Sequence, residues 1–247
     1  MKIFALSEGA FTIDKTKQFV PFDLDKDQLN SRPVGSLLVE IQPFVVITKN
    51  DIILLDTGLG FSDNSGRLQI IDHLYKFGIE PEAITKVLLS HLHKDHFGGA
   101  SNHISGQQVL TFKNATYYIN KKEVEHALTI ESVSYIKKDI ELFKHSSQVC
   151  LLDDKGVIDN YINYEVSGGH SPHHQVFWIR EDNEIIFFGG DVAPQLQQMK
   201  SRFVAKYDFE GKKSMELRRE WLERGTAEKW KFLFYHDIKN PVYAFTT

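Results

Sequence analysis

The first half of the chain alternates short apolar runs with polar turns, a pattern that predicts β-strands. The runs 44–48 and 52–55 flank the polar residues 49–51, which is typical of a hairpin. Further strands are predicted at 2–6, 35–41, 85–89 and 115–120. Residues 14–33 are polar and contain Pro21 and Pro33, so they predict a long connection. A connection of this length is either a flap over a functional site or a surface loop.

Three stretches show helical spacing. Leu68, Ile71 and Leu74 share one face of a predicted helix that Gly78 ends. Residues 121–145 predict two helices that meet near Thr129, and residues 213–225 predict a charged amphipathic helix. In the second half, strands are predicted at 149–152, 161–166, 175–180, 184–188, 231–235 and 242–245. The elements form two similar halves without a linker between them, so we expect one domain, 1–247.

Composition narrows the class of protein. With 42% hydrophobic and 25% charged residues, the chain is typical of a soluble globular protein. The net charge of −4 argues against a nucleic-acid partner bound through a basic face. No apolar stretch is long enough to cross a membrane, and the N-terminus lacks the apolar centre of a signal peptide. We therefore expect a cytoplasmic protein with a small-molecule substrate and no membrane partner; the sequence leaves open whether it is a monomer or a homodimer.

The single cysteine, Cys150, excludes an intramolecular disulfide. Its neighbours are apolar, so we expect it to be a small buried residue of a strand. A reactive thiol is the alternative.

Four side chains that can bind metal ions lie within six positions: His91, His93, Asp95 and His96. They directly follow the apolar strand 85–89 and precede a pair of glycines. Imidazole nitrogens and carboxylate oxygens are ligands that zinc and similar divalent cations accept. A solvated polar loop is the alternative, but this density of donors favours a metal site.

Four further donors follow predicted strands elsewhere in the chain. Asp56 ends the run 52–55, His170 lies between two strands, Asp191 follows 184–188, and His236 follows 231–235. Asp56 alone fits a functional carboxylate and a helix or turn cap equally well, and each of the other three alone is more often an ordinary loop residue than a ligand. The shared arrangement of an apolar strand, a donor and then a turn favours a site that holds more than one metal ion.

These segments resemble the metallo-β-lactamase-fold hydrolases. The family's His-x-His-x-Asp-His run matches 91–96, its Asp-Thr-Gly matches 56–58, and its Gly-His-[Ser/Thr]-Pro matches 169–172. Its Gly-Asp matches 190–191, and its last histidine matches His236. The matches occur in order over nearly the whole chain. The fold that this resemblance implies is α+β: a four-layer αβ/βα sandwich of two mixed β-sheets with helices outside.

The resemblance also implies a ligand set for two divalent metal ions, zinc in the first place, with iron or manganese as alternatives. The first ion would be held by His91, His93 and His170, and the second by Asp95, His96 and His236, with Asp191 bridging both. Asp56 would hydrogen-bond a ligand histidine and fix its tautomer. His174 matches the family's second histidine of the 169–174 segment and is expected to be structural.

Two positions depart from the lactonases of this superfamily. His173 stands where the family often has glycine, so it is a candidate for substrate contact. The lactonases carry a tyrosine three residues after the bridging aspartate, where this chain has Pro194. Tyr207 is a candidate to replace that phenol.

Two metal ions can share a bridging hydroxide, which would act as the nucleophile while Asp95 orients it and moves its proton. We expect a metal-dependent hydrolase of a small ester-like substrate, a lactone or a related carboxylic ester. The alternatives are hydrolysis of a thioester, as in glyoxalase II, of a phosphotriester or phosphodiester, or of a β-lactam. A di-iron redox protein on the same ligands and a catalytically silent metal-binding protein are the other classes. A serine hydrolase is disfavoured because the chain has no Gly-x-Ser-x-Gly motif.

Overall fold

The computed structural model describes residues 1–104 and 107–245. The strands, in chain order, are β1 (Lys2–Ala5), β2 (Gly9–Ile13), β3 (Phe19–Pro21), β4 (Leu37–Ile41), β5 (Phe44–Ile47), β6 (Ile52–Leu55), β7 (Lys86–Leu88), β8 (Ser101–Ile104), β9 (Gln107–Leu110), β10 (Thr116–Asn120), β11 (Val149–Leu152), β12 (Lys155–Ile158), β13 (Ile162–Val166), β14 (Gln175–Glu181), β15 (Glu184–Phe188), β16 (Lys231–Leu233) and β17 (Val242–Ala244). The α-helices are α1 (Gln69–Lys76), α2 (Lys94–Phe97), α3 (Lys121–Thr129), α4 (Lys137–His145), α5 (Leu196–Lys200) and α6 (Gly211–Ala227).

Two mixed six-stranded sheets form the centre of the fold, with strand orders β1-β5-β6-β7-β10-β11 and β12-β13-β14-β15-β16-β17. Helices α1, α3 and α4 pack on the outer face of the first sheet, and α5 and α6 pack on the second. The sheets face each other across a shared apolar layer. The predicted αβ/βα sandwich is confirmed.

Alternation along the strands decides which layer each side chain enters. In β5, Val45 faces the helices whereas Val46 faces the second sheet. In β15, Phe187 packs against Trp221 of α6, with ring centroids 4.9 Å apart, whereas Phe188 faces the first sheet. All five side chains are at most 1% exposed, and burial of each contributes roughly 1.5–3 kcal/mol.

Parallel pairing sets where the loops of each sheet open. Strand β6 pairs in parallel with β7, and β15 pairs in parallel with β16. Strand β13 runs in the same direction as β15, since both are antiparallel to β14. The carboxyl ends of parallel strands meet at the same edge of a sheet. Within the first sheet, the polar loops that follow β6 and β7 therefore open at the same edge, and within the second sheet so do those that follow β13, β15 and β16.

The N-terminal region differs from the sequence-based expectation. Strand β2 was not predicted, because Gly9–Ile13 is short and follows a polar residue. It pairs with β3 and β4 in a separate three-stranded sheet, so the stretch 14–33 contains a strand rather than only a connection.

The expected burial of Cys150 is wrong, because its side chain is exposed. Strand β11 is the outermost strand of the first sheet, and its central residues Cys150 and Leu151 both face solvent.

In the part of the chain that the structure describes, no helix has both the length and the apolar character needed to cross a membrane.

Candidate metal centre

The donors that the sequence singles out meet at the edge where these strands end. Asp56 follows β6, His91 lies three residues after β7, Asp191 lies three residues after β15, and His236 lies three residues after β16. His170 lies in the loop between β13 and β14. The short helix α2 starts at Lys94 and directs Asp95 and His96 to the same place.

Ligand atoms of these side chains form three overlapping groups, each with all of its atoms within 4.8 Å of one another. The groups are His91, His93 and His170; His91, His96 and Asp191; and Asp95, His96 and His236. Asp191 Oδ1 also lies 2.9 Å from His236 Nε2, and its Oδ2 lies 3.2 Å from His170 Nε2. The carboxylate of Asp191 thus stands between the first group and the third.

Three imidazole nitrogens converge in the first group. His93 Nδ1 lies 2.9 Å from His91 Nε2 and 3.0 Å from His170 Nε2. A neutral imidazole carries one N–H, so three converging ring nitrogens leave lone pairs directed at the same space. This arrangement is typical of metal coordination.

The outer nitrogens of three of these imidazoles are held by oxygen atoms. His96 Nδ1 lies 2.7 Å from Asp56 Oδ2, and His170 Nδ1 lies 2.9 Å from Asp208 Oδ1. His236 Nδ1 donates to the Glu40 carbonyl oxygen at 2.7 Å. These contacts keep the proton on the outer nitrogen and leave the inner nitrogen free to bind a cation.

Asp56 orients two imidazoles rather than one. Its carboxylate accepts from the Ser90 backbone N–H and from the Ser90 hydroxyl, each at 2.7 Å, as well as from His96. Because the Ser90 hydroxyl gives its proton to Asp56, its oxygen accepts from His91 Nδ1, which lies 3.0 Å away. Asp56 is fully buried and adopts a φ of +56°, a left-handed conformation that aspartate tolerates better than most residues.

His174 supports the site from behind. Its Nδ1 lies 3.0 Å from Ser167 Oγ, and its Nε2 accepts from the backbone N–H of Asp191 at 3.1 Å. Gly190 makes this approach possible: a Cβ there would lie 2.6 Å from His174 Nε2, and φ is +46°. His174 therefore positions the carboxylate that stands between the groups of donors.

The charges of the site depend on one another. Burial raises the pKa of Asp191, but His236, His96 and His170 outweigh this effect and hold it well below its usual range. Conversely, burial lowers the pKa of His96, but Asp191 and Asp95 outweigh this and raise it well above its usual range. The carboxylates thus attract positive charge into the site.

Two buried atoms show that protein groups alone do not satisfy the site. His96 Nε2 and Asp191 Oδ1 lie 3.1 Å apart, yet neither makes a hydrogen bond with any residue that the structure describes. Leaving buried polar atoms without partners is costly. A pair of divalent cations would satisfy both atoms, so the donor set fits the metal ions that the sequence implies.

Two residues that the sequence did not single out complete the surroundings. Asp208 is 38 positions from His170 in sequence, and its side chain is 1% exposed. Tyr235 stacks on His96, with centroids 4.1 Å apart, and donates its hydroxyl proton to the Asp95 carbonyl oxygen at 2.6 Å. The local signals for these two residues are their neighbours: Tyr235 directly precedes His236, and Asp208 directly follows Tyr207.

A cavity of about 510 Å³ lies over the donors. We call its base, formed by His93, Asp95, His170, Asp191 and His236, the floor. We call its apolar side, formed by Ile13, Phe19, Leu37, Val39, Ile130 and Phe203, the wall. Lys17 and Phe19 belong to the stretch 14–33, so part of that stretch borders the cavity.

The two candidates for substrate contact lie in different places. Tyr207 lines the cavity, with its ring centroid 6.1 Å from that of His170. Its hydroxyl accepts from Gln198 at 3.2 Å, and burial raises its pKa to about 12, so the phenol stays protonated at neutral pH. His173 is not among the described residues that line the cavity, and its ring faces His126 at 6.0 Å. Pro194 lines the cavity.

The sequence matches the family model of the metallo-beta-lactamase superfamily over residues 39–231. The chain therefore belongs to this superfamily, as the motifs indicated. Over 122 residues it is 30% identical to an N-acyl homoserine lactonase of Agrobacterium fabrum. The aligned region covers 46% of this chain and 42% of that protein. The chain thus aligns with less than half the length of this curated relative.

Solved structures share the fold over almost the whole chain. A probable metal-dependent hydrolase from Staphylococcus aureus has a TM-score of 0.80 at 22% identity, covering 99% of this chain and 92% of that one. A dizinc quorum-quenching lactonase in complex with its product has a TM-score of 0.76 at 20% identity, covering 99% and 90%. At these identities the likeness shows the fold.

Proposed function

We propose that this protein is a dinuclear metal-dependent hydrolase that cleaves a small ester-like substrate, a lactone or a related carboxylic ester. The convergence of the donors carries the proposal. His91, His93 and His170 would hold one ion, and Asp95, His96 and His236 the other, with Asp191 between them. Zinc suits this set of imidazoles and carboxylates, and iron and manganese are alternatives.

The two cations, when bound, would polarise a carbonyl oxygen and lower the pKa of water, which supplies a nucleophile near neutral pH. Asp95 faces the same space, since its Oδ2 lies 3.6 Å from His96 Nε2 and 3.7 Å from His236 Nε2. In the proposed reaction the water oxygen bonds to the acyl carbon and the bond from that carbon to the leaving oxygen breaks. Asp95 takes a proton from water and gives it to the leaving oxygen, so the products are an acid and an alcohol.

Tyr207 would orient the substrate. Its hydroxyl accepts from Gln198 and keeps its own proton for a ligand oxygen in the cavity. In this role Tyr207 would replace the phenol that the sequence-based hypothesis assigns to the position of Pro194.

The choice of an ester-like substrate rests on the relatives. The Agrobacterium fabrum protein is an N-acyl homoserine lactonase, and one solved neighbour is a dizinc lactonase with its product. The apolar wall suits the acyl part of such a molecule.

Metal analysis tests the first half of the proposal. Protein purified without chelator should contain close to two equivalents of a transition metal ion. Less than one equivalent, with no activity after zinc, manganese or iron is added, would contradict it.

A substrate screen tests the second half. Metal-loaded protein should hydrolyse lactones or carboxylic esters faster than thioesters, phosphotriesters, phosphodiesters and β-lactams. Faster turnover of one of these other classes would contradict the proposed substrate and leave the proposed metal centre standing.

A further inference from the structure

Two lysines border the cavity without a carboxylate to pair with. Lys17 and Lys94 are both half-buried, and no carboxylate oxygen of residues 1–104 or 107–245 lies within 4 Å of either ammonium group. By contrast, the buried Lys86 pairs with Asp51 at 2.6 Å. A partly desolvated cation without a partner gains from binding an anion.

The acidic side chains of the cavity are engaged elsewhere and do not form ion pairs with these lysines. Asp95 and Asp191 face the imidazoles of the floor, and Asp208 is engaged by His170 at 2.9 Å. Bound divalent cations would take up the charge of the first two. The cavity therefore has two free positive charges beside its apolar wall.

Lys94 is held in place from both ends. Its backbone N–H donates to the Ser134 carbonyl oxygen at 2.8 Å. Its ammonium group lies 5.8 Å from the centre of the Phe19 ring, across the cavity from α2. The side chain thus runs from the floor toward the wall, with its charge on the cavity surface.

Lys17 approaches from the turn between β2 and β3. Its φ is +58°, and its backbone N–H donates to the Asp14 carbonyl oxygen at 3.1 Å. Lys17 lines the cavity and lies two residues before Phe19, the residue whose ring the Lys94 ammonium group approaches. Lys17 and Lys94 therefore border the same cavity, on the side where Phe19 lies.

We propose that Lys17 and Lys94 form a subsite for an anionic group of the substrate, a carboxylate or a phosphate that is separate from the carbonyl group that reacts. This inference rests on the proposed function and narrows its substrate class to esters or lactones with both an apolar part and a negative charge. The wall would contact the apolar part, and the two lysines would bind the charge.

Binding measurements test the subsite without turnover. Hexane-1-sulfonate and hexan-1-ol share a chain and differ in charge, and their Kd values can be compared by calorimetry on the metal-loaded protein. The sulfonate should bind more tightly, and Lys94→Met and Lys17→Met should each reduce the preference by about three- to tenfold, as expected for a partly exposed charge pair. The preference should weaken in 1 M NaCl because salt screens exposed charges.

Two matched variants serve as controls. Lys94→Arg keeps the charge and should keep most of the preference. Lys15→Met removes an exposed lysine two residues from Lys17 that does not line the cavity, and it should leave the preference unchanged. A preference that survives both Lys94→Met and Lys17→Met would show that the metal centre alone attracts the anion, and it would overturn the proposal.

Kinetics with paired esters give the second readout. The 4-nitrophenyl ester of butyrate and the mono-4-nitrophenyl ester of glutarate differ by a terminal carboxylate, and the corresponding phosphonate distinguishes a phosphate-like group. Each methionine variant should raise KM for the anionic ester about three- to tenfold more than for the neutral ester. Equal changes for both esters would overturn the subsite, even with full hydrolytic activity. Absence of turnover, with a binding preference that still depends on the lysines, would overturn the proposed hydrolysis and support the subsite.

Discussion

The floor of the cavity is buried and cross-connected by hydrogen bonds, whereas the wall is apolar, partly exposed and built from separate segments. Two floor histidines have their outer nitrogens held by other residues: His170 by Asp208, and His236 by the Glu40 carbonyl oxygen. On the wall, Phe203 is 40% exposed and Leu37 is 39% exposed. The floor can therefore hold reacting groups in fixed positions, while the wall can vary without disturbing them.

The difference between floor and wall indicates which residues carry out the chemistry and which determine specificity. The floor comes from the loops at the ends of the strands of both central sheets, so its geometry follows from the fold. The wall comes mainly from the small sheet β3-β2-β4 and from loops around residues 130 and 203, which lie outside the two central sheets. Changes to the floor should thus remove activity, and changes to the wall should redirect it.

The largest effect is expected from removing a donor of the floor. His93→Ala and Asp191→Ala should each lower kcat/KM by roughly a thousandfold or more, because the donors act as a unit. Each variant should also lose bound metal, which metal analysis and a chelator titration would detect. His145→Ala, which changes an exposed histidine, is the matched control and should keep both activity and metal. A wild-type rate in either floor variant would show that the ligand assignment is wrong.

The next largest effect is expected at Asp208, which holds His170 from outside the floor. Asp208→Ala should lower metal affinity about ten- to hundredfold, the usual scale for a group that orients a ligand. Asp208→Asn keeps an oxygen that accepts from His170 Nδ1, so it should lose less metal affinity than Asp208→Ala. Competition with a chelator measures both, and Asp25→Ala, at an exposed aspartate, is the control. Equal affinities for wild type and Asp208→Ala would mean that His170 is positioned by packing alone.

Asp208 also shows where prediction from sequence stops. The floor donors were predictable because each stands next to a local signal, such as a strand end or a dense run of histidines. The fold followed from the same motifs through the family resemblance. Asp208 lies on an irregular segment 38 residues from the histidine that it holds, and only the folded chain brings the two together.

The wall was harder to predict for a related reason. Strand β2 is five residues long, and its pairing with β3 and β4 is not encoded in any strong alternation. The meeting of Lys94 and Phe19 depends on that pairing, because it brings β3 over the cavity. The prediction that Cys150 is buried was wrong for the opposite reason. Its apolar neighbours suggested a core strand, but the strand lies at the edge of the sheet.

A smaller effect is expected at Glu8, a buried carboxylate that lacks the full set of hydrogen-bond partners that Asp56 has. Its Oε2 accepts from the Leu59 backbone N–H at 2.8 Å, but its Oε1 makes no hydrogen bond with the described residues. Burial raises the pKa of Glu8 to about 7 from an ordinary value of 4.5. The protonated form therefore favours the folded state, and this contribution is present below pH 4.5 and lost as the pH rises through 7.

Glu8→Gln should remove that pH dependence, because glutamine does not titrate. The free energy of unfolding of the wild type, relative to Glu8→Gln, should fall by about 1–3 kcal/mol between pH 5 and pH 8. Urea denaturation of both proteins in chelator at the two pH values measures this difference and excludes effects of bound metal. A parallel pH dependence in the two proteins would show that Glu8 is not the titrating group.

The smallest effect is expected at Tyr207, which stands between floor and wall. Its phenol is protonated at neutral pH and can donate one neutral hydrogen bond to the substrate, worth about 0.5–1.5 kcal/mol. Tyr207→Phe should therefore lower kcat/KM about two- to tenfold, with Tyr75→Phe, at an exposed tyrosine, as the control. Steady-state kinetics on the preferred ester measure this effect. A loss in kcat/KM of about a hundredfold or more would show that the Tyr207 hydroxyl takes part in the chemistry at the floor. An unchanged kcat/KM would show that Tyr207 acts as a wall residue, because a wall side chain contributes its ring and not its hydroxyl.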